Sequence, residues 1–469
     1  AYRLPQPMEK PVGTNKPLIA ETALSTSEQH IVNIRLTDLA TAVMKFNQQS
    51  GRWSLWGTHL AVADAVAQAP DMPGLKISAK SSLLDGDLWQ SALSQGEDGD
   101  GSIPDFITGL EGDFTRLDYL DRQLGPTVIS MTRKEKHWRG HIGGSDIIGK
   151  FRAFFGLPYH KFEMDLEKLA IPSEPFRDSK GEFDSTHIPR LHIKANAFHY
   201  GKMQLGQLDV MGAPEPGGWQ LQQMILKRPD TDIYMAGTMA TTSAGTDAEF
   251  KVTLDSRDIG ETLRAFDLPR NITAGSARVE TTLKWDRASS LGIDNVRASQ
   301  VSIKAEKGQF AKIEQGAGRL LGIFDPTALA RYLTLDFKPI FGKGFSFNEM
   351  KGNVKIDKGD AYTHDLVIKG PTADVSVSGR IGYIEEDYDL IVGVNPSLTD
   401  KLAIASWGLG VPQIGAAVLL VKGLFRKQTK KAEQLTYTVK GTWDNPIMAR
   451  VGGKVTSQPD ETKEIIEGD

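Results

Sequence analysis

Gly144-Ser145-Asp146-Ile147-Ile148-Gly149-Lys150 has the GxxxxGK spacing with which a glycine-rich loop holds nucleotide phosphates. That chemistry needs a Ser or Thr directly after the lysine to hold magnesium, and this chain has Phe151 there. Gly316-Ala317-Gly318-Arg319-Leu320-Leu321-Gly322 approaches a dinucleotide-binding loop, but its last glycine is one position too far and no acidic residue follows on a second parallel strand. It reads as a glycine-rich helix start. His137 and His141 have the spacing of two metal ligands on one helix face, yet they fall in the strand-like run Trp138-Arg139-Gly140-His141-Ile142 with no third ligand in view. His192 and His199 are no better placed. Acidic residues stand singly in turns, and no Ser, His and acid trio assembles from local signatures. Cysteine is absent, which removes thiolate nucleophiles, disulfides and cysteine zinc sites. The expectation is a protein that is not an enzyme, with no catalytic residues, no metal site and no cofactor.

The elements that must position any functional side chain are strands. Leu191-His192-Ile193-Lys194-Ala195, Phe250-Lys251-Val252-Thr253-Leu254, Ala277-Arg278-Val279-Glu280-Thr281, Val301-Ser302-Ile303-Lys304-Ala305 and Asp374-Val375-Ser376-Val377-Ser378-Gly379 alternate apolar and polar residues, so each has one apolar and one wet face. Turn signals at Pro214-Glu215-Pro216-Gly217-Gly218, Lys358-Gly359-Asp360 and Glu385-Glu386-Asp387 separate such runs at hairpin distances. A mostly β fold follows, an elongated, twisted antiparallel sheet. Helical spacing at 88–93, 147–155, 259–266 and 326–332 predicts short interspersed helices, two of them stopped by the Leu-Pro steps at 157–158 and 268–269.

Trp53, Trp138 and Trp219 mark a repeat of about 80 residues. Tyr119, Leu124-Gly125 and Trp138 have the same spacing as Tyr200, Leu205-Gly206 and Trp219, and a looser copy runs through Ile34, Leu39-Ala40 and Trp53. Units of this kind stack because none can bury its apolar face alone. The chain divides accordingly into a linker at 1–17, β repeats at 18–110, 111–190 and 191–290, a C-terminal β region at 291–397, an apolar helical segment with a basic end at 398–431, a terminal strand at 432–450 and a disordered tail at 451–469. The acidic, glycine-rich run 96–101 reads as loop. With 469 residues and a net charge of −4, the chain is long enough for several domains and lacks the basic footprint of a nucleic-acid binder. It begins at Ala1 with no signal peptide or anchor and is expected to be a piece of a longer protein.

Residues 402–421 carry no formal charge and are followed by Lys422, Arg426, Lys427, Lys430 and Lys431. The length suits a bilayer-spanning helix. Pro412 and the glycines at 408, 410 and 415 favour instead a hairpin of two short helices, buried or interfacial, with an irregular apolar loop as the remaining alternative. The candidate membrane contacts are Leu402, Ile404, Trp407, Leu409, Val411, Ile414, Val418, Leu419, Leu420, Leu424 and Phe425.

Few helical segments are available to cover so long an apolar sheet face, and a large uncovered apolar surface marks a binding site. Acyl chains suit it, each buried methylene being worth about 0.8 kcal/mol. The blocks 316–324, 333–337, Gly344-Phe345-Ser346-Phe347, 361–374 and Gly441-Thr442-Trp443-Asp444-Asn445-Pro446 resemble, in order and spacing, the C-terminal region of large AsmA-like proteins of the Gram-negative envelope. The resemblance covers residues 191–451 and, through the repeat alone, the N-terminal part.

It implies repeating β-groove units in the periplasm on an inner-membrane anchor. The implied function is passive movement of glycerophospholipids towards the outer membrane, supporting its permeability barrier. Partners are then phospholipid acyl chains and, at the C-terminal segment, the inner leaflet of the outer membrane or an outer-membrane protein; no nucleic acid is expected, and the chain reads as a monomer. Groove-lining candidates are Val301, Ile303, Leu333, Leu335, Phe337, Phe345, Phe347, Val354, Ile356, Leu366, Ile368, Val375, Val377, Leu390 and Val392. A one-residue slip in register would turn each of them to the other face. The competing reading is an envelope assembly factor that docks outer-membrane proteins by strand addition; a lipid or glycan enzyme ranks third.

Overall fold

A computed structural model of the chain describes residues 17–26, 28–36, 39–86, 88, 103–119, 122–155, 160–173, 185, 188–268, 270–288, 295–297, 299–310, 345–396, 435–443 and 445–451. Strands account for 76% of them. The chain forms two compact units, one of Ala1–Arg228 with Tyr234–Thr246, the other of Pro229–Ile233 with Asp247–Asp469.

In the first unit β1 (Leu18–Ser25), β2 (Gln29–Leu36), β3 (Ala40–Gln49) and β4 (Arg52–Ala63) pair antiparallel in chain order. β5 (Gly74–Asp85) joins β4 in parallel, and β6 (Ile107–Tyr119) joins β5 in parallel. A short β7 (Arg122–Leu124) folds back on the end of β6, which β8 (Thr127–Lys134) then follows antiparallel. β9 (His137–Gly144), β10 (Ile147–Phe154) and β11 (Lys161–Ile171) extend the meander. β12 (Arg190–Tyr200) is parallel to β11, and β13 (Met203–Glu215) and β14 (Gly218–Lys227) are antiparallel again. The expected antiparallel sheet is found, with a correction at these three parallel pairs. Residues 64–73, 86–106 and 172–189 connect them, long enough to return the chain to the end from which the previous strand began.

The helix expected over 147–155 is also corrected: the segment is β10. Ile147, Phe151 and Phe154 have helical spacing, but the strand is apolar on both faces at its ends, which hides its period of two. The repeat has a structural meaning. Tyr119 and Tyr200 end β6 and β12, and Trp53, Trp138 and Trp219 each stand second in the strand that follows a hairpin turn.

β15 (Thr231–Thr242) and β16 (Gly245–Ser256) carry the chain from one unit to the other. In the second unit the expected helix over 259–266 forms as α1 (Ile259–Ala265), started by Asp258, whose Oδ1 accepts from the Glu261 N–H at 3.1 Å. β17 (Ile272–Thr273) is short, and β16 pairs with β18 (Ser276–Ala288). β19 (Ser299–Phe310) pairs with both β17 and β18. β20 (Phe345–Asp357), β21 (Asp360–Lys369), β22 (Ala373–Gly382), β23 (Asp387–Pro396), β24 (Leu435–Thr442) and β25 (Pro446–Arg450) continue as an antiparallel meander. The predicted turn at 358–360 is built as expected: Lys358 and Gly359 both have positive φ, the twist a two-residue hairpin requires. Of the segment 88–93 only Leu88 is described; its N–H is held by Asp85 Oδ1 at 3.0 Å. Residues 316–322, 326–332 and 398–431 lie outside the described residues.

Candidate functional site

Directly paired residues of neighbouring strands point to the same face of a sheet, so the registers trace rows across it. One row of the first unit runs Ala20, Ile34, Ala42, Leu60, Ile77, Leu110, Met131, Gly140, Phe151, Met164, Ile193, Val210, Met224. Every strand from β1 to β14 except β7 contributes, and every member is apolar or glycine. From Ile34 to Met224 the side chains are half-buried, leaving an apolar surface open to a ligand; only Gly140 is buried. The parallel row beside it runs Leu36, Ala40, Val62, Ala79, Gly112, Ile129, Ile142, Gly149, Leu166, Ala195, Leu208, Leu226 and is apolar throughout. With strands about 4.8 Å apart, the first row extends on the order of 55 Å, roughly twice the hydrocarbon thickness of a bilayer.

A glycine keeps the middle of this surface low. The Phe151 ring lies over Gly140 so closely that a Cβ there would stand 2.4 Å from its Cζ. The same arrangement recurs at Gly308 under Phe347.

The opposite face is polar. Its corresponding row reads Ser78, Glu111, Ser130, His141, Lys150, Asp165, Lys194, Asp209. Lys76 pairs with Glu111 at 2.8 Å and Lys80 with Asp113 at 3.3 Å. A hydrogen bond from Lys161 holds the Glu163 carboxyl below its ordinary value, with Lys161 and Arg152 adding charge attraction. His59 is buried; its Nδ1 accepts from the Gln68 N–H at 2.9 Å, so the proton is on Nε2, which donates to Ser78 Oγ at 2.9 Å. Burial, helped by Lys76, pushes its pKa down.

In the second unit the twelve described lining candidates come together. Ala277, Ala305, Met350, Ile368, Val375, Val394 and Leu435 form one row. Val301 faces Val354, Leu366 faces Val377 and then Val392, and Leu390 faces Val439. Ile303 is paired with Gly352 and Ile356 with Ala361. Phe345 and Phe347 belong to the same buried cluster as Ile368, Val375, Val377, Leu390 and Val392. A register shift between Thr363 and Leu366 turns His364 and Asp365 outward and keeps Thr363, Leu366 and Ile368 on the apolar side; without that extra residue every later position would reverse. Leu333, Leu335, Phe337 and all the membrane-contact candidates from Leu402 to Phe425 lie outside the described residues.

The row in the first unit was missed by the sequence reading. Leu191, Ile193 and Ala195 signalled it through their alternation, but single Gly, Ala and Met members elsewhere dilute the pattern. Gly144-to-Lys150 forms the hairpin between β9 and β10, in antiparallel pairing and not at a helix start. His137 stacks on Phe154 at 5.4 Å and accepts from Arg139 Nε at 3.0 Å. Among the described residues no three His, Cys, Asp or Glu side chains stand together as a metal site, and no helix is long and apolar enough to cross a membrane.

No solved structure matches the chain. Over 187 residues it is 27% identical to the intermembrane phospholipid transporter YhdP of Escherichia coli (strain K12), a stretch that covers 40% of this chain and 15% of that protein. The chain thus spans a small part of the curated relative it matches. The profile of the family described as YhdP protein matches residues 1–448, which include every residue of the apolar rows, and the chain belongs to that family.

Proposed function

We propose that this chain binds phospholipid acyl chains along its apolar face and contributes to their passive movement between two membranes. The observation that carries this is the unbroken, half-exposed row from Ile34 to Met224, backed by a polar opposite face. An acyl chain on such a row keeps the apolar surroundings it had in the bilayer. Leaving for water would cost about 0.8 kcal/mol per methylene, whereas sliding from one strand to the next costs little, so continuity replaces chemistry and no reaction is assigned. The open lining is assigned to the first unit; the candidates from Val301 to Val392 stand in rows of the second unit that are mostly buried. The working location is the periplasm, on an anchor supplied by the longer protein. Residues 402–421 are the proposed contact with the outer membrane or a protein in it.

Native mass spectrometry of the chain, prepared without detergent, with extraction of bound lipid, tests the reading. Co-purifying phospholipid that is lost in the folded double variant Met164→Asp, Ile193→Asp, and kept in Lys194→Ser on the opposite face, is the expected result. A folded chain free of lipid overturns it. Strand addition is the second reading, favoured by β1: among the described residues it pairs with β2 alone, and Leu18 and Ile19 are exposed.

A further inference from the structure

The solvent face of β8, β9 and β10 carries Lys134, His137, Arg139, His141, Lys150 and Arg152, and no acidic side chain. The four lysine and arginine side chains among them stand against a chain of net charge −4. The strands on either side are different in kind. On β6, Glu111 and Asp113 are held by lysines of β5; on β11 Glu163 is shared by Arg152 and Lys161, and Asp165 stands across from Lys150. The basic surface is therefore a strip three strands wide, about 10 Å across, between acidic borders.

Beside it the GxxxxGK hairpin acquires a role. Gly143 leaves a shallow cleft on this face, lined by Val128, which is 53% exposed, Ile148, His141, Lys150 and Glu167. A Cβ on Gly143 would meet nothing within 4 Å.

We infer that this strip is a docking surface for an extended acidic protein segment, whose carboxylates meet Arg139 and Lys150 and whose apolar side chain enters the cleft between Val128 and Ile148. The width decides the class of partner. One extended chain fits between the acidic borders, whereas a flat anionic membrane would lie against them as well, and the aliphatic cleft calls for an anchor that a polysaccharide lacks. The strip lies opposite the apolar row, so both surfaces can be occupied together.

The test uses a fluorescein-labelled twelve-residue peptide rich in Glu with one central Leu, titrated by anisotropy into the whole chain at low and at physiological salt. Binding that weakens with salt, falls about tenfold when Leu is replaced by Ser, and is lost in Arg139→Glu, Lys150→Glu with circular dichroism and bound lipid unchanged, supports the proposal. Absence of binding at low salt overturns it. So does equal binding by the variant, or a variant whose affinity changes only for phosphatidylglycerol vesicles and not for the peptide; the last result would assign the strip to a membrane surface.

Discussion

The two units obey the same register logic and end with different apolar faces. In the first, the row through Met164 and Ile193 is half-buried along its length. In the second, Val392 and Val394 are 0% exposed, and α1 contributes Ile259 to the same cluster, with Leu263, Phe310 and Trp443 packed there too. Alternation and pairing decide which residues share a face; they do not decide whether that face is open. The second unit's rows have the burial of a core; in the first unit the row through Leu166 and Ala195 does too, and the row beside it, through Met164 and Ile193, stays half-buried as a binding surface.

The largest expected effect separates these states directly. Val392→Asp places a charge in a fully buried site and should cost about 4 kcal/mol or more, abolishing the cooperative unfolding of the second unit in urea. Ile193→Asp, at the half-buried row, should cost about 1–2 kcal/mol and leave the chain folded. Equal losses at the two positions would erase the distinction between open and closed faces.

A smaller effect sharpens it at one point of the open row. Gly140→Val drives a side chain into the Phe151 ring and should lower stability by about 1–3 kcal/mol, with part of the loss recovered on adding Phe151→Leu. A double-mutant cycle on urea midpoints reads the coupling; strict additivity would show that the ring is not held by the glycine.

The smallest effect belongs to the polar side of the first unit. The His59 pKa lies below its ordinary 6.5 in the fold, so the unfolded chain takes up the proton first as pH falls. Its contribution is fully present above about 6.5 and is lost below it. Urea midpoints of the native chain should fall between pH 7 and pH 5.5 more steeply than those of His59→Gln, and parallel slopes would remove His59 from the acid response.

Much of this was legible in the residues. The alternation at 191–195, 301–305 and 374–379, the hairpin at 358–360 and α1 all form where their patterns place them. The lining candidates in β19 to β23 do share a face, but which face depends on the extra residue between Thr363 and Leu366, and a bulge has no signature in hydrophobic period. β10 was misread because Ile147, Ile148, Phe151 and Phe154 place apolar groups on both sides of one strand. The parallel pairings at β4 to β6 and at β11 and β12 depend on the course of long connections, about which period two is silent. The row in the first unit becomes visible only after those pairings are known, since neighbours such as Leu60 and Ile77, or Met164 and Ile193, are joined by parallel registers.

Apart from the short β7, each strand of the first unit gives one residue to the open row, and this makes the sheet a ruler. Adding a hairpin lengthens the apolar track by two steps, about 10 Å, and leaves every existing pairing untouched. A lineage built this way can match a gap of any width by counting hairpins, with no binding site to redesign at each change of length.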